Sequence, residues 1–279
     1  MSGFSPEWLA LREPVDHRSR DAGIAEQVRA RFTDRNSIRV VDLGCGTGSN
    51  LRGTFHLLPD EQSWTLVDYD PRLLSAARDA LAAWGDRHES TCDELIVCRG
   101  GKRLRVGFRQ ADLNADLDAA LGEGADLVTA SAFFDLCSIA FIERFAAAVA
   151  RRRAVFFTVL TYNGEQRWTP PHTAAAEMLA AFCAHQVGDK GFGPSAGPGA
   201  PTALRTAFEV AGYGVREGGS PWVMDKADQR LIAELASGFA GAVAETGKVD
   251  AATIASWSAI AHSGAVVGHT DTLAIPAHT

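Results

Sequence analysis

The feature that most constrains this chain is the run Val40-Val41-Asp42-Leu43-Gly44-Cys45-Gly46-Thr47-Gly48. An apolar, β-branched stretch ends in an acid and passes straight into three alternating glycines. Glycine reaches positive φ and carries no Cβ, so the backbone there can turn sharply and lie close to a ligand. Asp42 is placed to fix such a turn by accepting backbone N–H groups. A glycine-rich turn after a buried strand also serves dinucleotide sites, whose spacing is GxGxxG. Here the spacing is GxGxG and an acid precedes it. That acid opposes a bound diphosphate and suits a ligand carrying positive charge.

Around this turn the chain alternates. Residues 38–43, 64–67, 125–130 and 154–161 read as buried strands, and 22–32, 72–84 and 139–151 as helices. Pro71 fits the first turn of the second helix, where its missing N–H does no harm. Gly100-Gly101 separates two strand-like segments, 94–98 and 104–108, which can pair as a hairpin. From Tyr162 to about Pro201 the pattern breaks. Residues 174–186 look helical, and 188–199 form a loop of the length that lids and binding loops have. A helix (204–211), a strand (214–224), helices near 228–246 and 251–261, and a last strand near 271–275 follow. The alternation predicts an α/β fold whose mostly parallel sheet is covered by helices on both faces, with the ligand at the carboxyl ends of the strands. It divides the chain into an N-terminal helical lid (1–37), a core (38–161), an insertion (162–201) and a remainder that completes the same sheet (202–279).

Two further acids fall in order. Asp68, in Leu66-Val67-Asp68-Tyr69-Asp70-Pro71, lies twenty residues beyond Gly48 and can accept both hydroxyls of a ribose. Asp112, in Gln110-Ala111-Asp112-Leu113, can accept an adenine amino group while Leu113 donates from its backbone. The ordered set Asp42, Gly44, Gly46, Gly48, then Asp68, then Asp112 resembles the class I S-adenosylmethionine-dependent methyltransferases. The likeness covers 39–161 well and 204–275 loosely. It implies a Rossmann-like sheet of seven strands, one of them antiparallel, with S-adenosylmethionine as cofactor. The cofactor-binding set is then Asp42, Gly44, Cys45, Gly46, Gly48, Asp68, Tyr69, Asp112, Leu113 and Ser131. It also implies SN2 methyl transfer, which rests on proximity, alignment and exclusion of water. A base is needed only for an acceptor that must lose a proton.

The resemblance places the acceptor near the fourth strand's end, the N-terminal segment and the insertion. The fourth strand leads into Ser131-Ala132-Phe133-Phe134-Asp135, without the Asn/Asp-Pro-Pro-aromatic pattern of nucleic-acid amino methyltransferases. Asp135 can be a base or bind an amine, or it can cap the following helix. Tyr162 can offer a cation–π face or be a core-edge aromatic. His185 can be a general base in a lid or simply end a helix, where the dipole favours positive charge. Arg12 or Arg20 can grip a carboxylate bidentately. The plainer reading pairs Asp16 with Arg20 on one helix face. Asn163 sits at the expected ligand-facing edge. Trp168 and Trp222 line an aromatic pocket or belong to the core. His262, His269 and His278 look incidental.

Composition narrows the partners. The 279 residues carry a net charge of −7, which disfavours binding to phosphate backbones. The five cysteines, Cys45, Cys92, Cys98, Cys137 and Cys183, form no CxxC pair, so neither a disulfide framework nor a zinc cage is expected. Met1 to Arg12 holds no apolar leader, and no apolar run reaches the ~18 residues of a membrane span. The expectation is a cytoplasmic enzyme with a small-molecule acceptor, no metal, and no nucleic-acid or membrane partner. The Ala-rich segment 233–261 could pair two copies into a homodimer. A cyclase or lyase consuming S-adenosylmethionine, a non-catalytic sensor of it, and a dinucleotide oxidoreductase stay open alternatives.

Overall fold

The computed structural model describes residues 4–91 and 94–277; Cys92 and His278 lie outside the described residues. Two helices come first, α1 (Pro6–Ser19) and α2 (Ala22–Phe32). Ser5 caps α1 by accepting the N–H of Trp8, and Asp21 caps α2 by accepting that of Ile24. Then follow β1 (Ser37–Leu43), α3 (Ser49–Thr54), β2 (Glu61–Asp68) and α4 (Pro71–Trp84). A hairpin, β3 (Arg87–Ser90) and β4 (Glu94–Arg99), leads to β5 (Lys102–Gln110). The core continues with α5 (Leu113–Leu121), β6 (Leu127–Ser131), α6 (Ile139–Arg152) and β7 (Val155–Thr169). The rest is α7 (Ala175–Gln186), α8 (Ala200–Val210), β8 (Tyr213–Gly219), β9 (Trp222–Met224), α9 (Gln229–Glu245), α10 (Ala251–Ser258) and β10 (Gly264–Pro276).

Five strands run parallel in the order β5-β2-β1-β6-β7. β10 then pairs antiparallel with β7, and β8 antiparallel with β10. These seven strands are the expected sheet with its reversed strand. Three more extend it: β4 and β3 outside β5, and β9 along the first part of β10.

Alternating residues of β1 divide the core. Ile38 and Val40 join a cluster with Ile24, Val28 and Phe32 of α2 and Leu74 and Leu81 of α4. Val41 and Leu43 face the other way, into a cluster with α5, α6 and α8. On α6 the stripe Phe141, Ile142, Phe145, Ala146, Val149 buries one helical face. Phe145 and Phe208 meet over Phe156, the last two stacked at 4.5 Å between centroids. Each such buried ring contributes roughly 1.5–3 kcal/mol through area removed from water.

The structure departs from the sequence reading in several places, three of them in the segments after the core. The fifth parallel strand runs on to Thr169 rather than ending at Thr161, because Tyr162 to Thr169 continues to pair with β10. The insertion therefore begins at Pro170, not at Tyr162. The strand expected over 214–224 is broken at Ser220-Pro221 into β8 and β9. The 188–199 segment is a docked loop. Ser195 Oγ donates to Leu136 O at 2.9 Å and Ala196 N to Cys137 O at 2.7 Å, fastening it to the β6–α6 connection. Among the described residues no helix is long and apolar enough to cross a membrane.

Candidate active site

The carboxyl ends of β1, β2, β5 and β6 open into one cleft of ≈ 1320 Å³. Its floor is the glycine turn. Gly44, Gly46 and Gly48 have φ of +60°, +53° and +78°. A Cβ on Gly44 would stand 2.7 Å from Phe133 Cδ2, and one on Gly46 3.0 Å from Leu9 Cδ1. Gly44 therefore needs glycine for space as well as for φ, whereas at Gly46 the φ is the main demand and the Leu9 tip need yield only slightly. The turn is fastened by Cys45 N to Val67 O (3.0 Å), Gly48 N to Cys45 O (2.9 Å) and Gly46 N to Asp68 Oδ2 (2.9 Å). Asp68 Oδ1 accepts the N–H of Asp70 at 3.0 Å. The acid that pins the turn is thus Asp68 and not Asp42.

Asp42 lies one layer below, fully buried. Its Oδ1 accepts from Asn50 Nδ2 at 2.7 Å, and its Oδ2 has no partner among the described residues. Asn50 also donates to Thr129 Oγ1 and itself lines the cleft, so Asp42 reaches the floor through Asn50. Burial pushes the Asp42 carboxyl up to about 7, against the Asn50 hydrogen bond and the Arg20 charge. Gly48 caps α3 and is not part of the cleft wall. Cys45 is a lining residue whose thiol burial drives upward, away from thiolate.

One side of the cleft carries Asp68, Tyr69, Asp112 and Leu113; Ser131 stands opposite with Ala132 and Phe133. Tyr69 is exposed. Gln110 Nε2 donates to its carbonyl at 3.2 Å, tying β5 to the turn after β2. Asp112 caps α5, its Oδ1 accepting the N–H of Asn114 at 2.9 Å. Burial raises the Asp68 carboxyl, and the backbone N–H groups of Asp70, Gly46 and Tyr69 oppose that rise.

Helix α1 lies across the opening with Leu9, Arg12 and Asp16 inward. Arg12 Nε donates to Asp16 Oδ2 at 2.9 Å, and its guanidinium lies over Trp222 at 5.3 Å. Asp16 thus pairs with Arg12, not with Arg20 as expected. Arg20 is enclosed beneath the lid, donating to Thr54 Oγ1 (2.8 Å) and Asn50 Oδ1 (3.0 Å). It packs on Gly53, where a Cβ would come within 2.5 Å of the guanidinium carbon. Arg20 is a tie between lid and core and has no surface on the cleft. Glu13 grips Arg52 with both oxygens, and Arg18 reaches Asp228, so ion pairs add to the apolar packing of Trp8, Leu11 and Val15 in holding α1.

The insertion supplies the far rim, Gln186 and Asp189 to Phe192. Asp189 Oδ1 accepts the N–H groups of Gly191 (2.7 Å) and Gly193 (3.0 Å), and Phe192 packs edge-on to Phe133 and Phe141. Lys190 projects from this braced loop.

Three expected residues lie elsewhere. His185 Nε2 meets Glu245 Oε2 of α9 at 2.9 Å, facing away from the cleft. Trp168 is packed among Trp257, Phe239 and His262. Asn163 Oδ1 accepts the N–H of Glu165 and borders a separate shallow groove beside Arg205 and Glu217. Asp135 and Tyr162 sit together behind the cleft. The Asp135 carboxyl faces Arg12 and the backbone N–H of Tyr162, and burial pushes it up to about 6. The Tyr162 hydroxyl is 3.9 Å from Cys183 Sγ, and its ring stands 6.3 Å from that of His269, itself 5.0 Å from Trp222. Sequence reasoning missed Asn50, Phe133 and His269. Only Asn50, eight residues past Asp42, carried a local signal.

No family model and no curated protein matches the chain by sequence. Solved structures match it over nearly its whole length. A cyclopropane-fatty-acyl-phospholipid synthase-like protein from Lactobacillus casei superposes with a TM-score of 0.53 at 16% identity, over 97% of this chain and 94% of that one. The cyclopropane synthase MmaA2 from Mycobacterium tuberculosis gives 0.51 at 12% identity, over 97% and 94%. A protein from Bacillus halodurans described as a methyltransferase gives 0.51 at 10% identity, over 92% and 100%. The chain has the class I methyltransferase fold. Identities this low make the likeness one of fold. Within the class I methyltransferase fold the glycine turn, Asp68 and Asp112 fall at the carboxyl ends of β1, β2 and β5, the edge where ligands of open α/β sheets bind.

Proposed function

We propose that the protein binds S-adenosylmethionine and transfers its methyl group to a small-molecule acceptor. The observation that carries this reading is the Cβ-free floor pinned by Asp68. The cleft around it fits the cofactor's charge: Arg12 and Arg72 are matched by Asp16 and Asp70, and Asp68, Asp112 and Asp189 then stand against Lys190. When bound, the cofactor supplies a methyl group activated on a sulfonium. Asp68 would accept the ribose hydroxyls with the lone pairs its backbone partners leave over. Asp112 would accept the adenine amino group, and Leu113 would donate from its N–H. Only the Nε of Arg12 is hydrogen-bonded among the described residues, so its terminal nitrogens are available to the cofactor's carboxylate. Phe133, Leu9 and the α1 lid would exclude water and fix the line of attack, which is what an SN2 transfer needs.

A small acceptor is supported by the enclosure. The α1 helix and the insertion wall the cleft on two sides, and its described lining holds five aspartates against three basic residues, unlike a groove for a phosphate polymer. The four cysteines among the described residues are unpaired thiols, which suits a reducing compartment such as the cytoplasm. The test is turnover: purified protein with S-adenosylmethionine and a cell-metabolite fraction, followed by mass spectrometry. The expected result is S-adenosylhomocysteine together with a metabolite heavier by one methylene. Methylthioadenosine formed without any acceptor would overturn methyl transfer.

A further inference from the structure

Behind Arg12, five side chains make an inner wall to which the cofactor reading assigns no contact. Asp16 reaches it from α1, Asp135 from the β6–α6 connection, Tyr162 from β7, Trp222 from β9 and His269 from β10. The register joins three of them, pairing His269 with Tyr162 and Val267 with Trp222. Asp16, Tyr162, Trp222 and His269 are each less than a tenth exposed. Four of their buried polar atoms lack a hydrogen-bond partner among the described residues: Asp16 Oδ1, Asp135 Oδ1, His269 Nδ1 and Trp222 Nε1. Buried polar groups are rarely left unpaired, and several converging on one place call for a missing partner. Ala132 and Leu136, which flank Asp135, line the cleft, as do Arg12 and Asp16 in front.

We propose that this wall is the acceptor's seat and that it takes an ammonium borne on an apolar body, rather than a carboxylate or phosphate. The inference rests on the methyl-transfer reading of the same cleft and names its substrate class. The orphan atoms decide the chemistry. Two of the four are carboxylate oxygens, which only accept, and the His269 nitrogen can accept. Trp222 is the one obligatory donor. Charge points the same way. Arg12 is matched by Asp16 and lies over Trp222, so Asp135 is the carboxyl left over. Burial and the nearby Arg12 push His269 down to about 3, so it adds no positive charge. The Trp222 ring already takes a cation, the Arg12 guanidinium 5.3 Å from its centroid, and its face is offered to another when Arg12 turns away. Phe133, Phe192 and Leu136 provide apolar wall for the rest of the molecule. Arg12 stands between cleft and seat, and its turning toward the cofactor's carboxylate opens the way in.

The test uses the full chain saturated with S-adenosylhomocysteine and three probes of one size: phenethylamine, 2-phenylethanol and 3-phenylpropionate. Calorimetry should rank phenethylamine tightest, at least about tenfold over 3-phenylpropionate. Asp135→Asn should weaken phenethylamine by about the same factor while leaving S-adenosylhomocysteine affinity in place. Equal or tighter binding of the carboxylate, or no binding of the amine, overturns the seat. If Asp135→Asn does not fold, the ranking on the wild-type chain decides alone. Failure to bind S-adenosylhomocysteine at all would instead overturn the cofactor reading, so the two failures are distinct.

Discussion

Asp68 Oδ2 accepts the backbone N–H of Gly46 at 2.9 Å, so the acid that ends β2 holds the turn that ends β1. One carboxylate thereby sets the floor of the cleft and faces into it. Its lone pairs are shared between fold and ligand, and floor and wall cannot shift independently.

Gly44→Ala should therefore be worse than a glycine replacement at a similar φ elsewhere. Gly100 has φ of +55° and nothing within 4 Å of a Cβ, so Gly100→Ala should cost only the backbone strain, about 1–2 kcal/mol. Gly44→Ala adds a clash with Phe133, for a further 1–3 kcal/mol or so. Chemical denaturation of both variants checks the order. Equal losses would mean that Phe133 yields freely.

The two lid arginines should separate. Arg20→Ala removes hydrogen bonds to Thr54 and Asn50 and the positive charge near Asp271 and Asp42, and should cost about 1–3 kcal/mol of stability. Arg12→Ala leaves Asp16 buried without its ion-pair partner and so also lowers stability, but of the two it alone should weaken S-adenosylhomocysteine binding measured by calorimetry. A reversed pattern would return Arg20 to the binding site.

Asp42 makes a pH prediction. Burial raises its folded pKa to about 7, far above an unfolded aspartate, so the fold favours the protonated acid. Its contribution is whole below pH ~4 and is lost as the pH rises through 7, at roughly 1.4 kcal/mol per unit crossed. Asp42→Asn keeps the oxygen that Asn50 needs and never ionises. The variant should match the wild type near pH 4 and exceed it in denaturant midpoint near pH 8. A variant weaker at pH 8 would show that the attraction of Arg20 outweighs burial.

The lid makes a salt prediction. Helix α1 fully buries Val15 and Asp16, packs Trp8 and Leu11 partly against the core, and is tied to it by the ion pairs Glu13–Arg52 and Arg18–Asp228. Glu13→Gln should raise the dissociation rate of S-adenosylhomocysteine several-fold in stopped-flow. The wild type should approach the variant's rate in high salt as the ion pairs are screened. A rate indifferent to both changes would mean that α1 does not gate the cleft.

The glycine turn was legible because three positive φ values demand glycine, and the strand before it because buried parallel strands read as continuous apolar runs. The partner of the turn was not legible. Spacing placed Asp42 next to the glycines, but its side chain points down to Asn50, and the long-range neighbour Asp68 does the pinning. Helix α5 escaped notice because it is nine residues long and kinked at Asp116. The end of β7 was not read as strand because Asn163, Gly164 and Glu165 are polar or turn-forming; they lie at a bulge, and pairing with β10 resumes at Gln166. His269 looked incidental because a lone histidine in a strand shows nothing of the three elements that meet it.

The most direct measurement is a calorimetric titration of S-adenosylhomocysteine into the wild-type chain and into Asp68→Ala. The account predicts one saturable site on the wild type and an affinity lower by about 1–3 kcal/mol on the variant, the worth of charge-assisted hydrogen bonds to the ribose. No binding to the wild type, with NADH bound in its place, would contradict it.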